Sequence, residues 1–407
     1  MDSFYPVNRP SMEIRIAQIV SRLNIGGPAI YTVMLANHFS RQNFRSLLVT
    51  GRELEKEGDM SYLLKDSRIA NQVIPQMQRE INPVKDMACL LQMVKIFKRF
   101  KPHIVHTHTA KAGFIGRAAA VLLGIRNIVH TYHGHTFAHY FGPVKNRILL
   151  NIERAMAHHT TKLIAVTRQQ VCDLVNKFRV VPAAKIIEMP HGLDLTGFIH
   201  NASRRRYIRS RISAGNNDIV VGIVGRLYAI KAHDFFLETA ANVLEKRKDI
   251  HFVIVGDGDE RAKLESIVKN KNIGSNVHFL GWEKDMPSVY AGMDIITLTS
   301  LNEGSPFSLI EGMASGLPSV STSVGGVPDL FIDARKEGDI RIAKNGILVD
   351  KRDSQVFASA LIMLADNVQL RKDMGNAARK FVLEQFTRER FLKDMENLYL
   401  SLLPWAR

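Results

Sequence analysis

Two cysteines, Cys89 and Cys172, are all the chain has in 407 residues. That excludes a disulfide framework and makes a reducing compartment the simplest setting. No apolar run is long enough to cross a bilayer as a helix. The opening MDSFYPVNRPSMEIR lacks the apolar centre of a signal peptide. A cytoplasmic location is therefore expected, free or peripheral on the membrane. Low-complexity tracts and short fixed-period repeats are absent, and so is a GxGxxG fingerprint, which weakens a dinucleotide-dehydrogenase reading. Acid is missing where base is plentiful: Lys101 to Leu150 holds six Lys and Arg and no Asp or Glu.

The charge that is present is uneven. The net charge is +16; residues 1–200 carry 26 Lys+Arg against 13 Asp+Glu, a balance of +13, and residues 201–407 carry the remaining +3. A basic half draws anions, whether anionic lipid, phosphorylated substrate or nucleic acid. No nucleic-acid motif interleaves these bases with aromatics, so no nucleic-acid partner is expected. A soluble basic surface with no specific partner is the plain alternative.

Short β-rich runs alternate with longer amphipathic ones. Residues 13–20, 45–50, 103–108, 127–133 and 162–167 read as strands, and 84–100 reads as a helix with apolar residues three and four apart. Several strands are apolar on both faces, the mark of a parallel sheet covered by helices. The polar, basic stretch 201–217 reads as a linker. Alternation then restarts, with strands at 218–227, 251–258, 277–281, 293–300, 317–324 and 345–350. The expectation is α/β: two Rossmann-like doubly wound domains, 1–200 and 218–385, facing across a cleft. Residues 386–407 form a last helix expected to pack back towards the first domain. Ligands in open α/β sheets lie beyond the carboxyl ends of the strands.

NEGSPFSLIEGMASGLP, Asn302 to Pro318, holds two glutamates, Glu303 and Glu311. Ser305 reads as an N-cap, Pro306 as the first helical residue, and Gly316 with Pro318 as the stop. The first amides of that helix, on Phe307, Ser308 and Leu309, would face outward unpaired, ready for a phosphate. Glu311 lies one turn further in, suited to neutral hydroxyls such as those of a ribose. Two solvated surface carboxylates are the plain reading of the same spacing.

Other strand ends carry candidate groups. Arg226 and Lys231, in GRLYAIK, can neutralise a diphosphate as charge builds on it. Gly26 and Gly27 form a turn through which backbone can approach a ligand; a purely structural turn serves as well. His133 and His135 follow a strand in a histidine-rich segment, but metal ligation needs three or four converging ligands, and none is expected. Asp257 and Asp259 have a D-x-D spacing suited to Mg²⁺ or Mn²⁺, although a Gly-Asp turn accounts for it more simply.

EGSPFSLIEGMASGLPSVSTSVGGVPDL (303–330) resembles the E-x7-E motif of the retaining GT-B glycosyltransferases, family 4 above all. The usual family form is E-G-x-P-x-x-x-x-E-A-M-A-x-G-x-P followed by G-G. Gly312 stands where alanine is usual and Asp329 where glutamate is common. GRLYAIK matches G-R-L-x-x-x-K at each fixed position, with Ile230 where glutamate is frequent. HTHTAKAGFIGR and HTYHGHTF are similar to the bacterial polysaccharide branch, and the resemblance covers nearly the whole chain.

The resemblance implies a hexosyltransferase that takes a nucleotide-sugar donor, UDP-linked by expectation, and retains anomeric configuration. Its acceptor would be a glycan or lipid-linked hydroxyl, with no metal cofactor. It implies Glu311 on the ribose, Glu303 and His133 on the donor sugar, and Arg226 and Lys231 on the leaving diphosphate. Amides around Ser308 and Leu309 would also hold the diphosphate. Gly27 would face the donor phosphate, and Gly281 and Trp282 would contribute to donor choice. Lys111 is a candidate for an anionic acceptor. Rival readings are a glycosidase, for which the two carboxyls should stand about 5–5.5 or 6.5–9.5 Å apart, a sugar-nucleotide epimerase or hydrolase on the same fold, and a basic nucleic-acid-binding protein.

Overall fold

The computed structural model describes residues 13–24, 27–41, 43–52, 60–65, 69–78, 82–134 and 142–403. Gly26 and His135 lie outside them. The chain forms two compact units, 1–189 with 391–407, and 190–390.

The first unit is a seven-stranded sheet. Its strands are β1 (Ile14–Val20), β2 (Phe44–Thr50), β3 (Ala70–Val73), β4 (Ile104–His108), β5 (Asn127–Tyr132), β6 (Lys162–Ala165) and β7 (Ile186–Glu188). Their order is β3-β2-β1-β4-β5-β6-β7 and every pairing is parallel. The helices are α1 (Gly27–His38), α2 (Pro83–Phe100), α3 (Ala110–Leu122), α4 (Pro143–His159) and α5 (Arg168–Cys172). Asn82 caps α2, its Oδ1 accepting from the Lys85 amide at 3.1 Å, and Lys101 ends it in the left-handed region. Central strands β1 and β4 are buried along almost their whole length, as parallel strands covered on both faces must be. Order reverses between β1 and β4, where strand ends and their loops diverge to leave room for a ligand.

The second unit begins with two short helices, α6 (Thr196–Ile199) and α7 (Arg206–Arg211). Residues 201–217, which read as a linker, thus belong to this unit. Ile208 is buried there, and the buried Arg209 guanidinium donates to the Gly215 carbonyl at 2.6 Å and to Asp294. The sheet has eight strands: β8 (Ile219–Val224), β9 (Ile250–Val255), β10 (Val277–Gly281), β11 (Ile295–Leu298), β12 (Ser319–Thr322), β13 (Arg335–Glu337), β14 (Ile340–Ala343) and β15 (Gly346–Val349). The order is β10-β9-β8-β11-β12-β15-β14-β13, antiparallel only where β14 pairs with β15 and β13. Around it lie α8 (His233–Lys246), α9 (Arg261–Asn270), α10 (Met286–Ala291), α11 (Phe307–Ala314), α12 (Ser354–Asp366) and α13 (Val368–Gln385). The last helix, α14 (Arg388–Ser401), places Phe391, Met395 and Tyr399 in the core of the first unit, beside Tyr31, Leu35 and Phe39.

Candidate active site

In the second unit the candidate groups gather at the carboxyl ends of β8 and β11, on loops that the backbone locks in place. Gly256 has φ +130°, and a Cβ there would stand 2.1 Å from the Gly225 carbonyl oxygen, so only glycine lets the turn after β9 touch the loop after β8. The Leu227 amide donates to the Asp257 carbonyl at 3.0 Å. Asp257 Oδ1 accepts from the Gly258 amide at 2.8 Å. This D-x-D segment is therefore a brace for the Arg226 loop. Arg226 itself is exposed, its guanidinium 4.7 Å from the centre of the Tyr228 ring.

Lys231 closes a short 3-10 turn, Ala229–Lys231, and Ala232 follows at φ +50°. A non-glycine residue there costs about 1–3 kcal/mol and persists only where neighbours hold it. They do: Thr299 Oγ1 donates to the carbonyls of Lys231 and Ala232 at 3.0 and 3.1 Å, and the Leu301 amide donates to Ile230 at 2.8 Å. This aims Lys231 Nζ at Glu303 Oε1, 2.5 Å away. Ser300 Oγ donates to the same oxygen at 2.5 Å. Both bonds fall on Oε1, and Oε2 makes none among the described residues. The Glu303 backbone is fixed from the far side, because the Gly326 amide donates to its carbonyl at 3.1 Å and Gly325 lies against it at φ +53°.

Helix α11 begins one residue later than the sequence pattern predicts. Pro306 is the cap, at φ −80° and ψ 89°, and Ser305 makes no capping bond. The extended ψ at Pro306 keeps it out of the first turn, so the hydroxyl of Ser305 falls out of reach of the amides it was expected to cap. The Leu309 amide donates to the Pro306 carbonyl at 3.1 Å, which removes it from the open set. Phe307 and Ser308 keep amides without a partner among the described residues, and the helix dipole adds to their pull on an anion.

Glu311 sits one turn in. Tyr290, buried, donates its hydroxyl to Oε2 at 3.0 Å. Burial pushes the Glu311 carboxyl up to about 7, and the Tyr290 bond partly offsets that. A carboxylate held so near neutrality accepts hydrogen bonds from hydroxyls readily. Gly281 ends β10 at φ +72°, its carbonyl accepting from Gly256 at 2.8 Å. Trp282 follows it with 61% of its surface exposed.

In the first unit, Gly27 is the first residue of α1. His133 follows β5, half-buried. Its Nε2 lies 3.2 Å from His108 Nδ1, and its ring stands edge-on to Tyr31 at 4.9 Å. Lys111, a candidate for an anionic acceptor, is instead 2.6 Å from Asp86 and largely covered. Sequence patterning did not single out Ser300, Tyr290, Gln18, His108 or Tyr399. His106, His108 and His130 alternate along strands, which signals inward-facing rings. Tyr399 carries no local signal, because its partners lie hundreds of residues away.

Comparison with known proteins follows the same division. A family model described as Glycosyltransferase Family 4 matches residues 25–196, and one described as Glycosyl transferases group 1 matches 218–367. An Escherichia coli UDP-Gal:alpha-D-GlcNAc-diphosphoundecaprenol alpha-1,3-galactosyltransferase is 29% identical over 86% of this chain and 88% of its own. The Staphylococcus aureus capsular polysaccharide biosynthesis glycosyltransferase CapM is 24% identical over 83% of this chain and 86% of its own. Among solved structures, Anabaena HepE in complex with UDP superposes with a TM-score of 0.79 at 18% identity, covering 96% of this chain and all of HepE. That likeness gives the GT-B fold.

Proposed function

Because the chain belongs to glycosyltransferase family 4, with a group 1 transferase domain after it, we propose that it moves a hexosyl or N-acetylhexosaminyl group from a UDP-sugar to a glycan hydroxyl. The acceptor is a lipid-linked or polysaccharide glycan of the cell envelope, and the anomeric configuration is retained. The relative from Escherichia coli is named for a UDP-galactose donor and a diphosphoundecaprenol-linked acceptor, and HepE was solved with UDP; both support this class.

The observation that carries the reading is the Lys231–Glu303–Ser300 cluster beside the open amides of α11. Glu311 accepts the ribose hydroxyls. The Phe307 and Ser308 amides, with Arg226 and Lys231, take the diphosphate as the glycosidic C–O bond breaks and charge gathers on the leaving oxygen. Glu303 accepts from donor-sugar hydroxyls through Oε2, and His133 orients the same sugar. The acceptor oxygen attacks from the face the diphosphate leaves, and its proton passes to the leaving phosphate oxygen. Gly27, Gly281 and Trp282 border the donor. No residue here is assigned as a covalent nucleophile, since both glutamates bind.

The first unit supplies a membrane-facing surface on the cytoplasmic leaflet. Its helices α2, α3 and α4 are neighbours and expose Val84, Met87, Leu91, Leu122, Val144 and Ile148. Lys85, Lys95 and Arg147 are exposed among them, so the partner is an anionic lipid surface.

The test is a thermal-shift screen against UDP-, GDP- and ADP-sugars, followed by transfer to a diphospholipid-linked sugar acceptor. A UDP-sugar should raise the melting temperature and be consumed only with acceptor present. Glu311→Ala and Lys231→Ala should each lower transfer by at least about a hundredfold while the fold survives. Full activity in either variant overturns the site. Acceptor-free release of UDP with an altered sugar overturns transfer in favour of an epimerase or hydrolase.

A further inference from the structure

Three residues, Trp282, Glu283 and Lys284, join the end of β10 to Asp285, the cap of α10. Both ends of that span are fixed. The Gly281 carbonyl accepts from the Gly256 amide at 2.8 Å. Asp285 Oδ1 accepts from the Ser288 amide at 3.3 Å, and its Oδ2 from the Ser288 hydroxyl at 2.5 Å. Between these ends, the backbone of the three residues makes no hydrogen bond among the described residues. Trp282 and Lys284 are exposed, and their side chains make none there either.

Glu283 is what holds the middle of the loop. Its Oε1 accepts from Arg211 Nη1 at 2.6 Å, and its Oε2 accepts from the Tyr207 hydroxyl at 3.2 Å. The Arg211 guanidinium also lies 5.6 Å from the centre of the Tyr207 ring, so these two side chains of α7 brace each other as well as the carboxylate. The Glu283 side chain is only 10% exposed. The same basic segment meets the start of α10 twice more, where Arg204 Nη1 donates to Asp285 Oδ1 at 3.2 Å and the Asn201 amide to the Pro287 carbonyl at 2.9 Å. An ion pair near the surface adds little to global stability. For a loop with one tie, that tie decides whether the loop is ordered beforehand or has to be ordered by its ligand.

We propose that Tyr207 and Arg211 are positioning residues for the nucleotide: by holding Glu283 they keep the Trp282 loop ordered, so that the exposed indole meets the base of the donor without prior rearrangement. This rests on the reading of Trp282 as a border of the donor. The nucleoside end is the part it meets, because the loop runs directly into α10, whose Tyr290 bonds the Glu311 carboxylate assigned to the ribose. An indole offers the flat face on which a base stacks. The effect is on binding and not on the chemical step, since neither α7 side chain is assigned to the diphosphate or the transferred sugar.

The experiment titrates UDP against a chain in which Trp405→Phe leaves Trp282 as the single tryptophan. Indole intensity and anisotropy are read, and KM and kcat for a UDP-sugar are measured beside them. UDP should change the Trp282 signal. Tyr207→Phe combined with Arg211→Met removes both donors to Glu283 and keeps side-chain bulk. It should lower the anisotropy before UDP is added and raise the UDP Kd and donor KM about tenfold, with kcat at saturating donor within about twofold. Glu283→Gln keeps one acceptor oxygen, disturbs the fold less and should raise both by about threefold. Lys344→Met breaks an exposed ion pair elsewhere, with Asp333, and should leave Kd and anisotropy as in wild type. Wild-type Kd in both clamp variants overturns the proposal, and so does a fall in kcat with KM unchanged, or weaker binding with the anisotropy unmoved. UDP that raises the melting temperature without moving the Trp282 signal overturns the Trp282 contact, and the clamp's role with it. A chain that binds no UDP at all overturns the donor reading itself.

Discussion

Burial raises the Glu311 carboxyl from its ordinary 4.5 to about 7, against the Tyr290 bond that pulls it down. The shift is a statement about stability as well as charge. The unfolded chain gives up this proton near 4.5 and the folded chain near 7, so between those values the folded state holds more protons. Stability therefore falls as pH rises through that window, and above 7 the loss is complete. A rise from 4.5 to about 7 corresponds to about 3 kcal/mol. Thermal unfolding of wild type and Glu311→Gln from pH 5 to 8 should show the difference. The variant should lack this component, and its advantage should grow with pH and level off above about 7. An advantage that is flat across the range would show that Glu311 ionises normally. The place of Glu311 in α11 was legible in the sequence because a short motif puts glutamate, proline and glycine in a fixed local order, and local order survives folding. The place of Lys231 on the loop after β8 was legible for the same reason. Tyr290 was not: it meets Glu311 across 21 residues, and nothing in VYAGMD marks its hydroxyl as a partner.

Packing of an element on its neighbour decides what the motif tolerates. Gly312 lies in the middle of α11, where alanine is the usual family residue and is the better helix former by about 1 kcal/mol. A Cβ at this position would stand 2.9 Å from Ile296 Cγ2 and 3.0 Å from its Cβ and Cγ1. Ile296 is wholly buried in β11, so neither strand nor helix can give way cheaply. Gly312→Ala should destabilise by about 1–2 kcal/mol, measured by urea unfolding. In an Ile296→Ala background, itself less stable, the same change should be neutral or favourable. Additive effects in the two backgrounds would refute the clash. The same logic separates the strands that were readable from those that were not. β1, β4, β8 and β11 are central and buried on both faces, β1, β8 and β11 are also rich in Val, Ile and Leu, and the pattern finds them. β3 and β13 are edge strands and β14 lies next to the edge, all with largely exposed or half-buried residues, such as ANQV and RKE. Their pairing is set by the strand beside them, which one-dimensional periodicity does not carry. The start of α11 was misplaced by one residue because Ser-Pro offers two plausible caps, and the ψ of Pro306 decides between them.

For the molecule as a whole, charge and exposed apolar surface fall in the same half of the chain. Residues 1–200 carry +13 and residues 201–407 carry +3. The half that carries +13 also exposes Val84 at 81%, Leu122 at 67% and Val144 at 72% of their surfaces on three neighbouring helices. A soluble surface gains nothing from that combination, because exposed apolar side chains invite self-association. At a bilayer the two features act together, since bases draw the protein to anionic headgroups and apolar side chains enter the interface. Each base near such a surface contributes about 1 kcal/mol, and salt screens this over about 8–10 Å. Apolar insertion is not screened. Flotation with phosphatidylglycerol-containing vesicles should therefore show binding that weakens several-fold between about 50 and 300 mM salt without vanishing. Neutral vesicles should bind poorly. Replacing Val84, Val144 and Ile148 together by serine should remove the salt-resistant part. It should leave the thermal shift with UDP-sugar unchanged, because none of the three belongs to the candidate donor site. Binding that salt abolishes completely in wild type would reduce the surface to a basic patch, and equal flotation with neutral vesicles would remove the electrostatic half of the argument.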